Sequence, residues 1–342
     1  MLLRPSEGRN VARNRTRRAA LGLMAAGIAG PVMLARAAAE SQLPVRMTLS
    51  TPGSAGSIWR SAIARLDSAL LSDIDLQWVL GDPGQVQVQL TAGALDVGVF
   101  GAIGLATIAR KGSDIVLFGP ALNNHGRVIV RADSPYQKLS DLVGKRIATQ
   151  PQTTETYQQA RVALSLIGLD MDRDFELIFG PPMASLALFN RGDVDAVIVV
   201  EPTATRAIGA GARELARISD VWKQANGEAA VPFLVGLAAR RSWIDANRAV
   251  ATSLARVFAA ANDSVNRNPQ LFVEFHEQMG LRGNEAAAIA LLPSRLADVY
   301  PSVWDETVWK AIDQQTEIAV KLGLLEAAPK RRLYDGVALG KV

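Results

Sequence analysis

The side chains able to do chemistry in this sequence are few. It contains no cysteine and two histidines, His125 and His276, which excludes thiolate nucleophiles, disulfides, thiolate metal sites and a histidine-rich metal centre. No Ser-His-Asp order, no GxxxxGKS or GxxxxGKT phosphate loop and no metal-ligand spacing occurs. What remains suits binding rather than bond making. Gly53, Ser54 and Ser57 fall where a helix is predicted to begin, and free amides there favour an anionic group, with plain serine capping as the competing account. Thr153, Thr154 and Glu155 repeat that arrangement about one hundred residues on; the hydroxyls could donate to an anion, and Glu155 reads as a first-turn acid complementing the helix dipole. Glu201 directly follows an apolar run, so its carboxylate should emerge at a sheet edge and need a cation or donors, either from an amine, amidine or hydroxyl of a ligand or from Arg206 one turn on. Asn124 and His125 form a polar cluster beside Gly126. Phe100 and Gly101 stand at a strand end, where Phe100 offers stacking or apolar surface, while Trp59 and the other tryptophans read as packing.

The elements that must position these residues are strand, loop and helix, repeated, which predicts an α/β fold with largely parallel sheets. Residues 45–50 read as a strand, 51–57 as a loop, and 58–71 as a helix with apolar residues at Ile58, Ala62, Leu66, Ala69 and Leu70. The pattern recurs as a strand at 146–149, a polar loop at 150–155 and a helix through Tyr157, Ala160, Leu164 and Ile167. Further on, LTAGALDV at 90–97 matches FNRGDVDA at 189–196 with a constant offset of 99. In each copy a helix stops at a glycine and an apolar strand begins, 97–100 in one and 196–200 in the other. Two collinear matches argue for two similar lobes. The repeat also gives Asp96 and Asp195 turn and strand-start roles in place of catalytic ones. Ligands of open α/β sheets bind beyond the carboxyl ends of the strands, which brings Phe100-Gly101 and Glu201 to the expected site.

Hydrophobic residues make up 49% and charged residues 20% of the 342 residues, an ordinary globular composition. The net charge of +4 belongs to the start of the chain: residues 1–39 hold seven arginines and one acid, and the remainder has 30 basic and 32 acidic residues, a net of −2. A nucleic-acid partner is therefore not expected. Those first residues have an arginine-rich start, an apolar run at 19–34 broken by Gly22, Gly27, Gly30 and Pro31, and small residues at Ala35, Ala37, Ala38 and Ala39 around Arg36, the three-part form of a cleaved export signal. Arg17-Arg18 after Thr16 resembles a twin-arginine motif, with a mitochondrial-type presequence as the alternative. The run is too short to span a bilayer, so no stable membrane insertion is expected.

Residues 139–148, LSDLVGKRIA, resemble the DLKGKKIAV segment of type II periplasmic substrate-binding proteins, and IGLD at 167–170, NRGDVDA at 190–196 and VVEP at 199–202 follow in the family's order. The resemblance runs from about residue 44 to residue 325 and points to the branch serving ABC importers of nitrate, aliphatic sulfonates and taurine, which also includes receptors for thiamine-precursor pyrimidines. It implies a two-lobed fold with a ligand cleft, one lobe being residues 43–122 plus 231–330, the other 125–227, with 331–342 as a C-terminal tail and crossovers at 123–126 and 227–233 acting as a hinge. It further implies a periplasmic monomer that hands a small anionic or zwitterionic solute to an inner-membrane ABC permease, without cofactor or metal. A ligand-presenting sensor or a receptor for an aromatic solute is the alternative. Enzymes that resemble this family depend on cysteine, which this chain lacks.

Overall fold

The computed structural model describes residues 42–81 and 83–337; the expected export signal lies outside them. Ten strands are present among the described residues: β1 (Leu43–Ser50), β2 (Ile74–Gly81), β3 (Val97–Phe100), β4 (Ile115–Asn123), β5 (Gly126–Val130), β6 (Arg146–Thr149), β7 (Glu176–Phe179), β8 (Ala196–Val200), β9 (Arg213–Arg217) and β10 (Phe233–Arg240). They form two five-stranded sheets with the orders β2-β1-β3-β10-β4 and β7-β6-β8-β5-β9. In each sheet four strands share a direction and one opposes them. Strand β1 pairs parallel with β2 and β3, and β6 does so with β7 and β8. The reversed strands are β10, antiparallel to β3 and β4, and β5, antiparallel to β8 and β9. The chain passes from the first sheet to the second between β4 and β5, through Asn124 and His125, and returns ahead of β10, through residues 227–232.

The repeat read from the sequence is an element-by-element repeat in space. Helix Pro83–Ala92 leads to Gly93 at φ +80° and then β3; helix Pro182–Arg191 leads to Gly192 at φ +81° and then β8. This left-handed conformation is one that glycine adopts without a Cβ clash. The two aspartates have matching tasks. Asp96 accepts from the Arg46 amide and donates its own amide to the Arg46 carbonyl, and Asp195 does the same with Arg146. Each acid ties the start of an inner strand to its neighbour, which is structural work. Both inner strands are buried along their whole length because helices cover both sheet faces.

One predicted helix is broken. Residues 55–58 form a 3₁₀ turn, the α-helix is confined to Trp59–Ile63, and a second 3₁₀ turn occupies Ser68–Leu71. Asp67 causes the restart: its side chain accepts from the Ala69 amide, a local bond that competes with continuing the helix. Trp59 is held in the core edge-on to Phe258 of the long helix Arg248–Arg267, which packs over β4. The described part of the expected tail is not loose. Leu117 of β4 donates to the Leu333 carbonyl and accepts from the Asp335 amide, so this segment covers an exposed sheet edge.

Candidate functional site

The carboxyl ends of β1, β6 and β8 meet around a cavity of about 50 Å³ between the two sheets. Ser50 closes β1, and the turn that follows brings Ser54 and Gly56 to the wall. Gln150 comes directly after β6, Val200 ends β8, and Glu155 and Thr156 open the helix Glu155–Leu166. Trp59 and His125 complete the polar part. A groove of about 520 Å³ lies alongside, lined by Val88, Ala92, Phe100 and Ile108 with Lys111 and Thr153. Gln87 borders both spaces.

The demand of this cavity is read from its unpaired atoms. Gln150 is 1% exposed, yet neither atom of its amide has a hydrogen-bond partner; the indole N–H of Trp59, also 1% exposed, has none either. Burying an amide unpaired costs about 1–3 kcal/mol, and both residues line the cavity. Charge is nearly absent. His125 lines the wall with Nδ1 2.7 Å from the Asn123 carbonyl. That contact places its proton on Nδ1 and leaves Nε2 as an acceptor. Burial lowers its pKa to about 4, so the ring is neutral at pH 7. Glu155 is the acid on the wall. Burial raises its pKa to about 7, against the opposing effect of bonds from Gln159, Gly104 and Ile103.

Among the residues singled out from the sequence, Ser54, Trp59, His125 and Glu155 reach the cavity, and Phe100 and Thr153 reach the groove. The others have different employment. The amide of Gly53 donates to the Met279 carbonyl and its carbonyl accepts from Thr203 Oγ1 at 2.8 Å, so its backbone is committed. Ser57 is buried with its amide donating to the Ser54 carbonyl and its hydroxyl unpartnered, but it is not on the wall. Gly101 begins helix Ala102–Arg110 and makes room: a Cβ there would lie 1.9 Å from Glu155 Cγ. Asn124 accepts from the Gly126 amide, shaping the passage between the sheets. Thr154 caps its helix, accepting from the Tyr157 amide and donating to the Pro151 carbonyl, so capping prevails over anion binding.

Glu201 departs most from expectation. It is fully buried, and its carboxylate is taken by Arg295 at 2.6 Å, by the amide and hydroxyl of Thr205 at 2.9 and 2.6 Å, and by Arg127 at 3.3 Å. Arg206, its expected local partner, pairs with Glu285 instead. Glu201 therefore has no free carboxylate for an amine. Gln150 is the residue that sequence reasoning missed. The strand-end rule applied to Phe100 and Glu201 would have found it, since it directly follows β6.

Residues 51–234, more than half of the chain, match the family profile of ABC-transporter phosphonate periplasmic substrate-binding proteins. No curated protein sequence matches the chain. Among solved structures, it is similar to the periplasmic aliphatic sulphonate-binding protein SsuA from Escherichia coli, at 20% identity and TM-score 0.65, covering 86% of this chain and 92% of that one. It is also similar to the alkanesulfonate-binding protein SsuA from Xanthomonas axonopodis pv. citri bound to MOPS, at 21% identity and TM-score 0.65, covering 85% and 96%. The desulfurization enzyme DszB shares the fold at 14% identity and TM-score 0.54, covering 84% and 94%, so fold alone does not decide between binding and catalysis. The profile match and the two-sheet architecture together show that the chain belongs to the phosphonate-type periplasmic substrate-binding proteins of ABC transporters, with a type II two-lobed α/β fold.

Proposed function

We propose that the protein captures a small organic solute with an acidic head of the sulfonate or phosphonate kind between its two sheets and delivers it to an inner-membrane ABC permease. The observation that carries this reading is the pair of buried, unpartnered donors on the cavity wall, the Gln150 amide and the Trp59 indole N–H. Neutral donors can bind the oxygens of an acid without bringing a buried counter-charge. The small cavity suits a head group, and the apolar groove sharing Gln87 suits the organic remainder. The passages at Asn124-His125 and residues 227–232 serve as the hinge, with residues 43–122 plus 231–330 on one side and 125–227 on the other.

A thermal-shift screen of the full chain against alkanesulfonates, alkylphosphonates, taurine, nitrate and aromatic acids tests the reading. A solute binding only the folded state adds about 2.7 kcal/mol at one hundred times its dissociation constant. The expected result is a shift with a sulfonate or phosphonate that is lost in Gln150→Ala and reduced in Trp59→Phe. A shift with aromatic acids alone, or one unchanged in Gln150→Ala, overturns it.

A further inference from the structure

One end of the first sheet gathers basic charge away from the solute cavity. Strand β4 starts there and β10 ends there, with Ile115 opposite Arg240. From this end β4 runs nine residues, about 30 Å, toward the passage at Asn124-His125. Three segments meet on this pole: residues 110–114, 240–248 and 326–335. The Arg241 amide donates to the Asp114 carbonyl, and Arg331 Nη2 donates to the Ser113 carbonyl at 3.2 Å. Leu117 of β4 bonds the backbone of Leu333 and Asp335.

These segments hold eight basic residues and four acids, whereas the rest of the chain beyond residue 39 holds 22 basic and 28 acidic ones. The molecule is therefore dipolar, with a positive pole on a negative body. The acids of the pole are engaged locally. Glu326 pairs with Arg110, Asp335 with Arg241 and Arg248, and Asp245 with Arg248, while Asp114 accepts from the Ser242 hydroxyl. At its margins, Asp96 is paired with Arg46, and Asp313 accepts from the Tyr334 hydroxyl. Lys111, Arg240, Lys330, Arg331 and Arg332 have no carboxylate partner among the described residues. Arg240 turns to the Leu90 and Thr91 carbonyls, and Arg332 lies 5.3 Å over the Tyr334 ring. The other three are exposed, as is Arg332, and Lys111 also borders the groove. Lys330, Arg331 and Arg332 are consecutive, on the stretch that Leu117 pins along β4.

The kind of partner follows from what the pole lacks. None of the large apolar residues exposed among the described residues falls in these three segments. A specific protein interface is built round buried aromatic or aliphatic anchors. An anionic lipid surface needs none, and it attracts each Lys and Arg that comes within a Debye length. No helix among the described residues is long and apolar enough to cross a membrane, so such a contact is peripheral. We propose that this pole rests on the anionic headgroups of a phospholipid bilayer and holds the receptor at the membrane of its transporter, with the cleft clear of the lipid. A receptor so held searches for its transporter over a surface instead of through a volume.

The test uses the full chain with vesicles of phosphatidylcholine alone or with phosphatidylglycerol added. The sequence has no cysteine, so Ala328→Cys on the pole and Val143→Cys on the second lobe, both at exposed positions, each accept one fluorophore. A lipid-borne quencher should dim the label at position 328 on phosphatidylglycerol vesicles, leave the label at position 143 bright, and act on neither with phosphatidylcholine alone. Raising salt to about 1 M, where the Debye length is about 3 Å, should release the protein. The triple variant Lys330→Gln, Arg331→Gln, Arg332→Gln should partition at least about tenfold more weakly, from the contribution of each cation near an anionic surface, with an unchanged unfolding midpoint. All these chains share the arginine-rich first 39 residues, so differences between label positions and between variants report the pole. Equal quenching at the two positions, equal partition of variant and wild type, or no partition at all overturns the proposal. Binding to soluble polyglutamate without binding to vesicles overturns it as well and reassigns the pole to an acidic protein face.

Discussion

Glu155 and His125 share a cavity and shift in opposite directions, which gives the protein a characteristic pH dependence. The Glu155 pKa rises from 4.5 to about 7 through burial, so the folded state holds this proton more tightly than the unfolded chain. Its contribution to stability is complete below about pH 4.5 and is lost as pH rises through 7, amounting to about 3 kcal/mol. The His125 pKa falls from 6.5 to about 4, also through burial, so its contribution is complete above about pH 6.5 and lost as pH falls toward 4. Between these limits the two oppose each other. Glu155→Gln should therefore be close to wild type at pH 4.5 and more stable than wild type at pH 8, as read by urea unfolding at the two values. A stability difference that does not grow with pH would show that the carboxylate is compensated in the folded protein.

Among the elements, helix Ala286–Arg295 joins the two halves through charge. Its last residue, Arg295, reaches Glu201 and Glu214 at 2.6 Å each, and Arg127 approaches the same two acids at 3.3 and 3.4 Å. Near its start, Glu285 pairs with Arg206, which holds the Glu285 carboxyl below the usual range. The helix packs on Thr203–Gly209, where Gly209 is needed because a Cβ there would lie 2.6 Å from the Ala288 backbone. Removing one partner from a buried network strands the others. Arg295→Met should cost about 3–5 kcal/mol in denaturant unfolding, and adding Glu201→Gln should recover part of that loss. Equal costs for the single and double variants would mean that packing of the arginine stem, not charge, holds the helix.

For the molecule as a whole, a few neutral contacts bridge the cleft beside the charged network of Arg295 and the Arg206–Glu285 pair. Thr203 donates to the Gly53 carbonyl, Ser54 bridges Pro202, and Glu155 reaches the amides of Ile103 and Gly104. A solute that touches both walls favours the closed arrangement through its extra contacts there. Small-angle scattering should show a smaller radius of gyration when a binding solute is added. Thr203→Val removes a bond between the two walls, so it should weaken solute affinity by roughly two- to tenfold, the equivalent of about 0.5–1.5 kcal/mol, while leaving the unfolding midpoint unchanged. A parallel loss of midpoint would assign that bond to the stability of the fold.

The sequence alone determined the repeated architecture, because each signal behind it is local. The glycines at 93 and 192 stop helices through their own φ angles, Asp96 and Asp195 bond the neighbouring strand start, and apolar runs with no alternation mark strands covered on both faces. Local reasoning also brought Ser54 and His125 to the cavity wall. It failed for the helix after β1, where Asp67 captures an amide and restarts the chain, although the apolar spacing is helical. Tertiary structure alone decided which buried acid is neutralised. Glu201 and Glu155 each stand at the end of a local element with no fixed partner, and the arginine that answers Glu201 lies 94 residues away on a helix from the other end of the chain. Charge compensation is settled by what packs against a carboxylate, and that is known only when distant segments meet; the same holds for Gln150 and Trp59, whose unpaired atoms become a binding demand once the surrounding wall has closed.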